Sequence, residues 1–484
     1  MAKYEIVIGM EVHAELLTET KQFCACANVA LAPPNTHVCP VCLGFPGSLP
    51  VLNGKSVDLS LRTVLAFGSK INTRCIFERK NYFYPDLPKA YQISQRLLPL
   101  GEGGFVEIDV PGDNGTVTKR VGLHDVHMEE DTGKSQHGEA IGDPDSSLVD
   151  FNRSGIPLLE IVSAPDMRSI EEAEAYMNTL RQTLLYLEVS DCKMEQGRLR
   201  FEASVSLRPF GQEEFGTRVE VKNLNSMKAV RDSLRAEIER QTKILESGGT
   251  VVQQTMLWDE ASGTTQPMRS KEQAHDYRYF PEPDLVPLDI DEAWLKRVRD
   301  AMPELPRARR ARFQTQHGLS AYDAELLTAT RDIADYYEAA LESYDKPKTI
   351  SNWVANELLG RLNAESKGIT DSPVRPAQLR DLVKLIDSGQ ISGKIAKDVF
   401  DEMFREGRDA AAIVKEKGLQ QVSDEGELEA ICRRVIDALP KVVEDYLGGK
   451  EKSFAALVGG VMKETRGKAN PALVNEILKR LLGR

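Results

Sequence analysis

Tyr4-Glu5-Ile6-Val7-Ile8-Gly9-Met10-Glu11-Val12-His13-Ala14-Glu15-Leu16 alternates along its length. Successive side chains of an extended strand point to opposite faces. Tyr4, Ile6, Ile8, Met10, Val12, Ala14 and Leu16 share one face, and all but Tyr4 are plainly apolar. Glu5, Val7, Gly9, Glu11, His13 and Glu15 share the other. The stretch predicts a strand with one face in a core and one face wet. On the wet face Glu11 and His13 stand side by side, and Gly9 leaves open space next to them. A carboxylate and an imidazole on a rigid strand are the beginning of a divalent-cation site. A merely solvated antiparallel strand gives the same alternation, so other acids must decide between the two readings.

The 484 residues around this strand exceed one core and predict about two to four domains. Hydrophobic content of 41% and charged content of 28% describe an ordinary globular chain. No apolar run approaches the roughly 20 residues that span a bilayer, and no basic segment precedes an apolar one at the start. The expectation is a cytoplasmic protein with no membrane partner. A net charge of −12 argues against nucleic-acid adhesion by the whole surface and leaves room for local basic patches.

Short alternating runs with Gly, Pro and Asn dominate up to about residue 290, and helical periodicity dominates beyond Asp291. The predicted class is α+β. A large β-rich N-terminal domain over 1–292 precedes an all-α helical domain over 293–406 and a small all-α tail domain over 407–484. Helices are predicted at Ser169–Tyr186, Ser226–Leu245, Glu292–Met302, Ala321–Leu341, Ser351–Leu362, Ala377–Ser388 and Ser392–Arg405.

Four of the seven cysteines form a Cys24-x-Cys26 … Cys39-x-x-Cys42 pattern. Two such knuckles bring four soft ligands to a tetrahedral zinc ion. Pro33-Pro34-Asn35 between them cannot form a packed core, so a metal would hold the loop together. Four cysteine ligands leave no open position, which makes the expected zinc structural; His37 is the alternative ligand. Reduced thiols in a loop are the bland reading.

Two stretches supply acids. His127-Met128-Glu129-Glu130-Asp131 places three acids in a row, which repel one another unless a cation or basic partner is near. The Gly133-Lys134-Ser135 that follows is no phosphate loop, because Met128 occupies the position of the first glycine. Glu160 is the single acid in the apolar run Ile156–Val162, where burial requires a partner, either a cation or an arginine. Basic groups come from Arg79-Lys80-Asn81-Tyr82-Phe83-Tyr84-Pro85-Asp86-Leu87-Pro88-Lys89, from Arg198 and Arg200, and from Lys222-Asn223. Base–aromatic mixtures of this kind hold phosphate and stack on nucleotides, or form solvated turns.

These stretches together resemble the B-subunit family of tRNA-dependent amidotransferases. The matching motifs are Ile8–His13, Tyr82–Lys89, His127–Asp131, Phe151-Asn152-Arg153, Val219–Ser226, His275–Asp284 and Gly467-Lys468-Ala469-Asn470-Pro471. The resemblance runs the length of the chain. Arg200-Phe201-Glu202-Ala203-Ser204 departs from it, since the family pattern there is Arg-x-Asp-x-Asn. The cysteine knuckles occur in only part of the family.

The resemblance implies a cradle-like catalytic domain in a glutamine-hydrolysing amidotransferase. ATP would phosphorylate the side-chain carboxylate of Glu-tRNA(Gln) or Asp-tRNA(Asn), and ammonia would displace the phosphate. It implies Mg2+ held by Glu11, His13, one or both of Glu129 and Glu130, and Glu160. Lys89, Arg153, Lys222 and Arg278 would contact phosphate or the acceptor end. No serine–lysine amidase machinery is visible, so ammonia would come from an amidase A subunit, with a small C subunit completing a heterotrimer. Lys463, Arg466 and Lys468 would meet the tRNA body. The competing reading is a non-catalytic, zinc-stabilised tRNA-binding module.

Overall fold

The computed structural model describes residues 3–29, 32–113, 115–138, 142–143, 145–268, 277–420, 425–465 and 468–483. The chain divides into two compact units, Met1–Pro306 and Arg307–Arg484.

Among the described residues the first unit is built on a ten-stranded sheet. Five of its strands position the functional side chains: β1 (Tyr4–Glu15), β2 (Gly115–Glu130), β3 (Pro157–Ser163), β4 (Leu199–Pro209) and β5 (Val219–Lys222). Their order is β5-β4-β1-β3-β2, so the strand nearest the N-terminus is central. Every pairing among them is antiparallel. The alternation of β1 is realised: Ile8, Met10, Val12 and Ala14 are buried, whereas Gly9, Glu11 and His13 between them are half-buried.

Three helices, α1 (Gly54–Ala66), α2 (Ile170–Tyr186) and α3 (Met227–Glu246), supply apolar residues to the same core. Tyr176, Met177 and Leu180 of α2 and Val230 and Leu234 of α3 join the apolar face of β1. Each large side chain removed from water contributes about 1.5–3 kcal/mol. The helix starts follow from local chemistry. Ser169 Oγ accepts from Glu172 N at 3.2 Å, and Ser226 Oγ accepts from Ala229 N at 3.0 Å. Between β5 and α3, Asn223 takes a left-handed φ of 66° and donates from Nδ2 to the Trp258 carbonyl at 3.1 Å. That bend ends β5 just after Lys222.

The second unit is helical, with one apolar cluster from Phe313 to Val414 and another from Leu428 to Leu478. The helix predicted over Ala321–Leu341 is two helices, Ala321–Leu327 and Arg331–Leu341. Thr330 sits between them in an extended conformation and caps the second through Ile333 N. The helix predicted over Ser351–Leu362 starts earlier, at Pro347, and passes through a π-helical turn at Trp353–Leu358. In the tail, Asn470 Oδ1 caps Pro471–Leu481 by accepting from Ala472 N and Leu473 N. No helix among the described residues is long and apolar enough to cross a membrane.

Candidate active site

Register across the sheet assembles the site. His13 on β1 lies opposite Arg200 on β4 and Glu160 on β3, and Glu160 lies opposite His127 on β2. Glu160 Oε2 is 3.2 Å from His13 Nε2 and 3.1 Å from His127 Nε2. Asp125 holds the far nitrogen of His127 at 2.7 Å. Glu129 completes the group: its carboxylate accepts from Ser94 Oγ at 2.7 Å and Gln92 Nε2 at 3.0 Å, and Lys80 Nζ stands 4.0 Å away. One ligand atom from each of His13, Glu129 and Glu160 lies within 4.8 Å of the others. Burial works to raise the Glu160 pKa, but the His127 and His13 rings overcome it and hold the carboxyl well below its usual range. Burial likewise works to lower both histidines, and the Glu160 carboxylate prevails, so both are raised.

A second acid group adjoins the first. Glu11 on β1 lies opposite Glu202 on β4, and Glu220 of β5 lies opposite Ser204. Carboxylate oxygens of Glu11, Glu202 and Glu220 also lie within 4.8 Å of one another. Lys222 Nζ is 3.1 Å from Glu202 and 3.6 Å from Glu220. Burial pushes the Glu11 carboxyl up to about 7, and the charges of Glu160, Glu202 and Glu220 add to it. An all-oxygen donor set that repels itself suits a hard cation such as Mg2+. The first group, two carboxylates and an imidazole, suits a divalent cation of mixed preference.

The side chains expected to share one cation, Glu11, His13, one or both of Glu129 and Glu130, and Glu160, fall here into two candidate donor groups, because Glu11 reaches across to β4 and β5 while His13, two residues on, reaches across to β3. Glu130 joins neither group. Adjacent strand residues point to opposite faces, and Glu130 turns to the Lys89 ammonium and accepts from Ile93 N at 3.0 Å. Lys89 and Glu130 are both buried. Replacing Glu130 by Ala should lower stability by about 3–5 kcal/mol, the cost of stranding one member of a buried ion pair. Urea denaturation of the variant checks this.

Arg153 donates to the carbonyls of Thr132 at 3.0 Å and Gly133 at 2.7 Å and faces Asp131 at 3.8 Å, which Arg200 also holds at 2.7 Å. These two guanidiniums build the turn after β2. Arg278 is exposed and carries a left-handed φ of 44°. Lys463 is exposed, Lys468 donates to the Gly418 carbonyl at 2.6 Å, and Arg466 lies outside the described residues, as does His275-Asp276.

Cys24, Cys26, Cys39 and Cys42 bring their sulfurs within 4.8 Å of one another; His37 is not among them. The hydrogen bond with Cys24 comes first in holding the Cys42 thiol down at about 5. Four converging soft donors are compatible with zinc. A cavity of about 240 Å3 lies between this knuckle and Lys89 and Glu130. Another, of about 180 Å3, opens beside Glu11 and is lined by Gly9, Ser163, Ser204, Phe215 and Arg218. The second, smaller one adjoins the acids.

Residues 6–296 match the family model described as the GatB/GatE catalytic domain, and residues 335–482 match the GatB domain. The chain belongs to the GatB/GatE family. It is 55% identical to the B subunit of the aspartyl/glutamyl-tRNA(Asn/Gln) amidotransferase of Carboxydothermus hydrogenoformans, over 99% of each chain. Against the protein of the same name from Caldanaerobacter subterraneus the identity is 54% over all of both chains. Against that of Brevibacillus brevis it is 50%, over 100% of this chain and 99% of the relative. Both acid groups lie inside the span of the GatB/GatE catalytic domain.

Sequence reasoning did not assign roles to His127, Glu202, Glu220 or Lys80. His127 sits two residues before Glu129, a spacing that puts both on one strand face, and that signal was present. The crowding has a thermodynamic consequence. Glu11 and Glu15 are each raised to about 7, and the histidines are raised as well. Glu129, Glu160, Glu202 and Asp131 are lowered instead, and their opposite contribution is confined to pH near and below their unfolded values, so above about pH 5 the raised groups leave the folded cation-free protein with more bound protons than the unfolded chain. Its stability should fall as pH rises from about 5 through 7, and added Mg2+ should restore it at pH 7. Thermal melts across this range with and without Mg2+ check the sign.

Proposed function

We propose that this GatB-family chain is the subunit of a tRNA-dependent amidotransferase that activates the misacylated amino acid. ATP gives its terminal phosphoryl group to the side-chain carboxylate of Glu-tRNA(Gln) or Asp-tRNA(Asn). The bond between the β-bridging oxygen and the γ-phosphorus breaks as a carboxylate oxygen binds phosphorus, leaving ADP and an acyl phosphate. Ammonia then attacks the acyl carbon, inorganic phosphate leaves, and the nitrogen loses a proton to give the amide. The single observation that supports this reading is the pair of acid groups on one sheet face inside the catalytic domain, next to a cavity.

Glu11, Glu202 and Glu220 would hold one Mg2+, and His13, Glu129 and Glu160 a second divalent cation. Bound there, such cations neutralise phosphate charge, the main requirement of phosphoryl transfer. The chain's own groups do the rest. Lys222 stands at the acid group to meet phosphate oxygens. Gly9 leaves the strand face bare, and the cavity beside Glu11 gives a nucleoside an aromatic wall in Phe215 and a cationic edge in Arg218. His127 orients Glu160 and is itself held by Asp125. The cysteine knuckle would carry a structural zinc, and Lys463, Arg466 and Lys468 would contact the tRNA body.

Ammonia must arrive uncharged to attack, which favours glutamine hydrolysis in an amidase partner, with a small third subunit completing the assembly. The test combines the chain with such partners and supplies ATP, glutamine and each misacylated tRNA separately. Amidated tRNA that depends on ATP supports the reading. Tight tRNA binding with no ATP cleavage would reject it in favour of a non-catalytic binding module.

A further inference from the structure

Lys21 follows β1 and precedes the first cysteine. It is fully buried, at 0% exposure. Buried lysines are rare and ordinarily face a carboxylate. Among the described residues the Lys21 ammonium has two partners, neither of them an acid: Cys42 Sγ at 3.6 Å and the Phe151 carbonyl at 3.3 Å. The nearest acid across this turn, Glu130, whose Oε2 would lie 3.8 Å from a Cβ on Gly155, is taken up by the Lys89 ammonium, which leaves the Cys42 sulfur as the counter-charge in direct contact with Lys21.

We propose that Lys21 is the outer-sphere cation of the four-cysteine site, there to make the site hold a divalent metal. This inference rests on the reading of the four thiols as a zinc site. Four thiolates around a divalent ion carry two net negative charges, and burying that excess is costly. Cys42 is the buried member of the four, while Cys24, Cys26 and Cys39 are half-exposed, so water screens Cys42 least. Lys21 approaches that sulfur. The Cys39 backbone N–H donates to the same sulfur at 3.1 Å, so Cys42 is held by one neutral and one charged donor.

The surroundings fix this arrangement. Lys21 N donates to the Cys26 carbonyl at 2.9 Å, tying the lysine backbone to the first knuckle. Ser154 Oγ donates to the Cys42 carbonyl at 3.1 Å. Gly155 has a φ of +83°, and a Cβ there would come within 3.4 Å of Cys42 Cβ and 3.7 Å of Lys21 Cδ. The backbone of this turn therefore packs closely over both residues. Through the Phe151 carbonyl the ammonium also ties the knuckle to the turn that carries Arg153. Lys21 is thus a positioning residue for the metal and not a ligand to it.

The experiment uses the full chain in wild-type form and as Lys21→Met, which keeps the length and removes the charge. Lys21→Gln keeps a donor without the charge and carries the same comparison if the methionine variant does not fold. Each is loaded with Zn2+ and challenged with a colorimetric chelator, then loaded with Co2+ and measured for thiolate-to-cobalt charge-transfer bands. The neutral variants should lose zinc about 10- to 100-fold more readily, the usual penalty for a lost outer-sphere partner. Their charge-transfer bands should shift, and their metal-free forms should melt no lower than metal-free wild type. Equal zinc retention with unshifted bands overturns the role of Lys21 alone. Equal destabilisation with and without metal assigns Lys21 to packing and overturns it too. A wild-type chain that retains no metal overturns both this role and the zinc site.

Discussion

Glu160→Gln is expected to reduce the proposed ATP-dependent phosphoryl transfer about a thousandfold, equivalent to several kcal/mol of charge stabilisation. Glu160 is where His13 on one side and His127 on the other converge, at 3.2 and 3.1 Å. The amide keeps the volume and removes the negative charge. It loses the carboxylate that a cation needs, and the two rings lose the largest of the charges that raise their pKa values. The same substitution should bring the His13 and His127 titrations down, which histidine NMR signals across a pH series would report. A plain packing role for Glu160 would leave phosphoryl transfer close to wild type.

Glu11→Ala is expected to abolish phosphoryl transfer while tRNA affinity stays nearly unchanged. Glu11 is the β1 contribution to the second acid group, and its partners Glu202 and Glu220 come from β4 and β5. With Glu11 gone, two carboxylates remain, and Lys222 satisfies both. The site then loses its claim on a cation and nothing folds differently, since Glu11 projects from the half-buried face of β1. Filter binding of misacylated tRNA beside single-turnover phosphorylation separates the effects. Lost binding with intact phosphorylation would remove Glu11 from the reaction.

The β1 alternation was legible because period two survives any tertiary context once one face is buried. The helix starts at Ser169 and Ser226 were legible, and the structure supplies the local bonds that fix them, each from a serine side chain to the backbone three residues on. The four cysteines were legible because short spacing limits where their sulfurs go. The partition of acids between two groups was not. It depends on which strand flanks β1 on each side, and pairing between residues 11 and 202, or 13 and 160, leaves no trace in one sequence. Glu129 and Glu130 illustrate the limit, because alternation says they diverge but only the sheet says which of them meets Glu160.

Glu202 is the reverse case. Its departure from the family's Asp put in doubt, at the level of sequence, any role there that needs Asp. In the structure the longer side chain still brings its carboxylate within 4.8 Å of Glu11 and Glu220. The helix break at Thr330 was missed because apolar spacing continues through it, and the cap bond to Ile333 N overrides that periodicity. Lys89 and Arg153, expected at phosphate or the acceptor end, have partners within the chain that come from other segments and that one sequence does not reveal.

Direct counting of bound cations tests the central idea best. Mn2+, a Mg2+ substitute visible by electron paramagnetic resonance, is titrated into the wild-type chain, Glu11→Ala and Glu160→Ala. Two sites are expected in wild type, with one remaining in each variant and the lost site differing between them. A single site in wild type, removed by either substitution alone, would contradict the two-group arrangement.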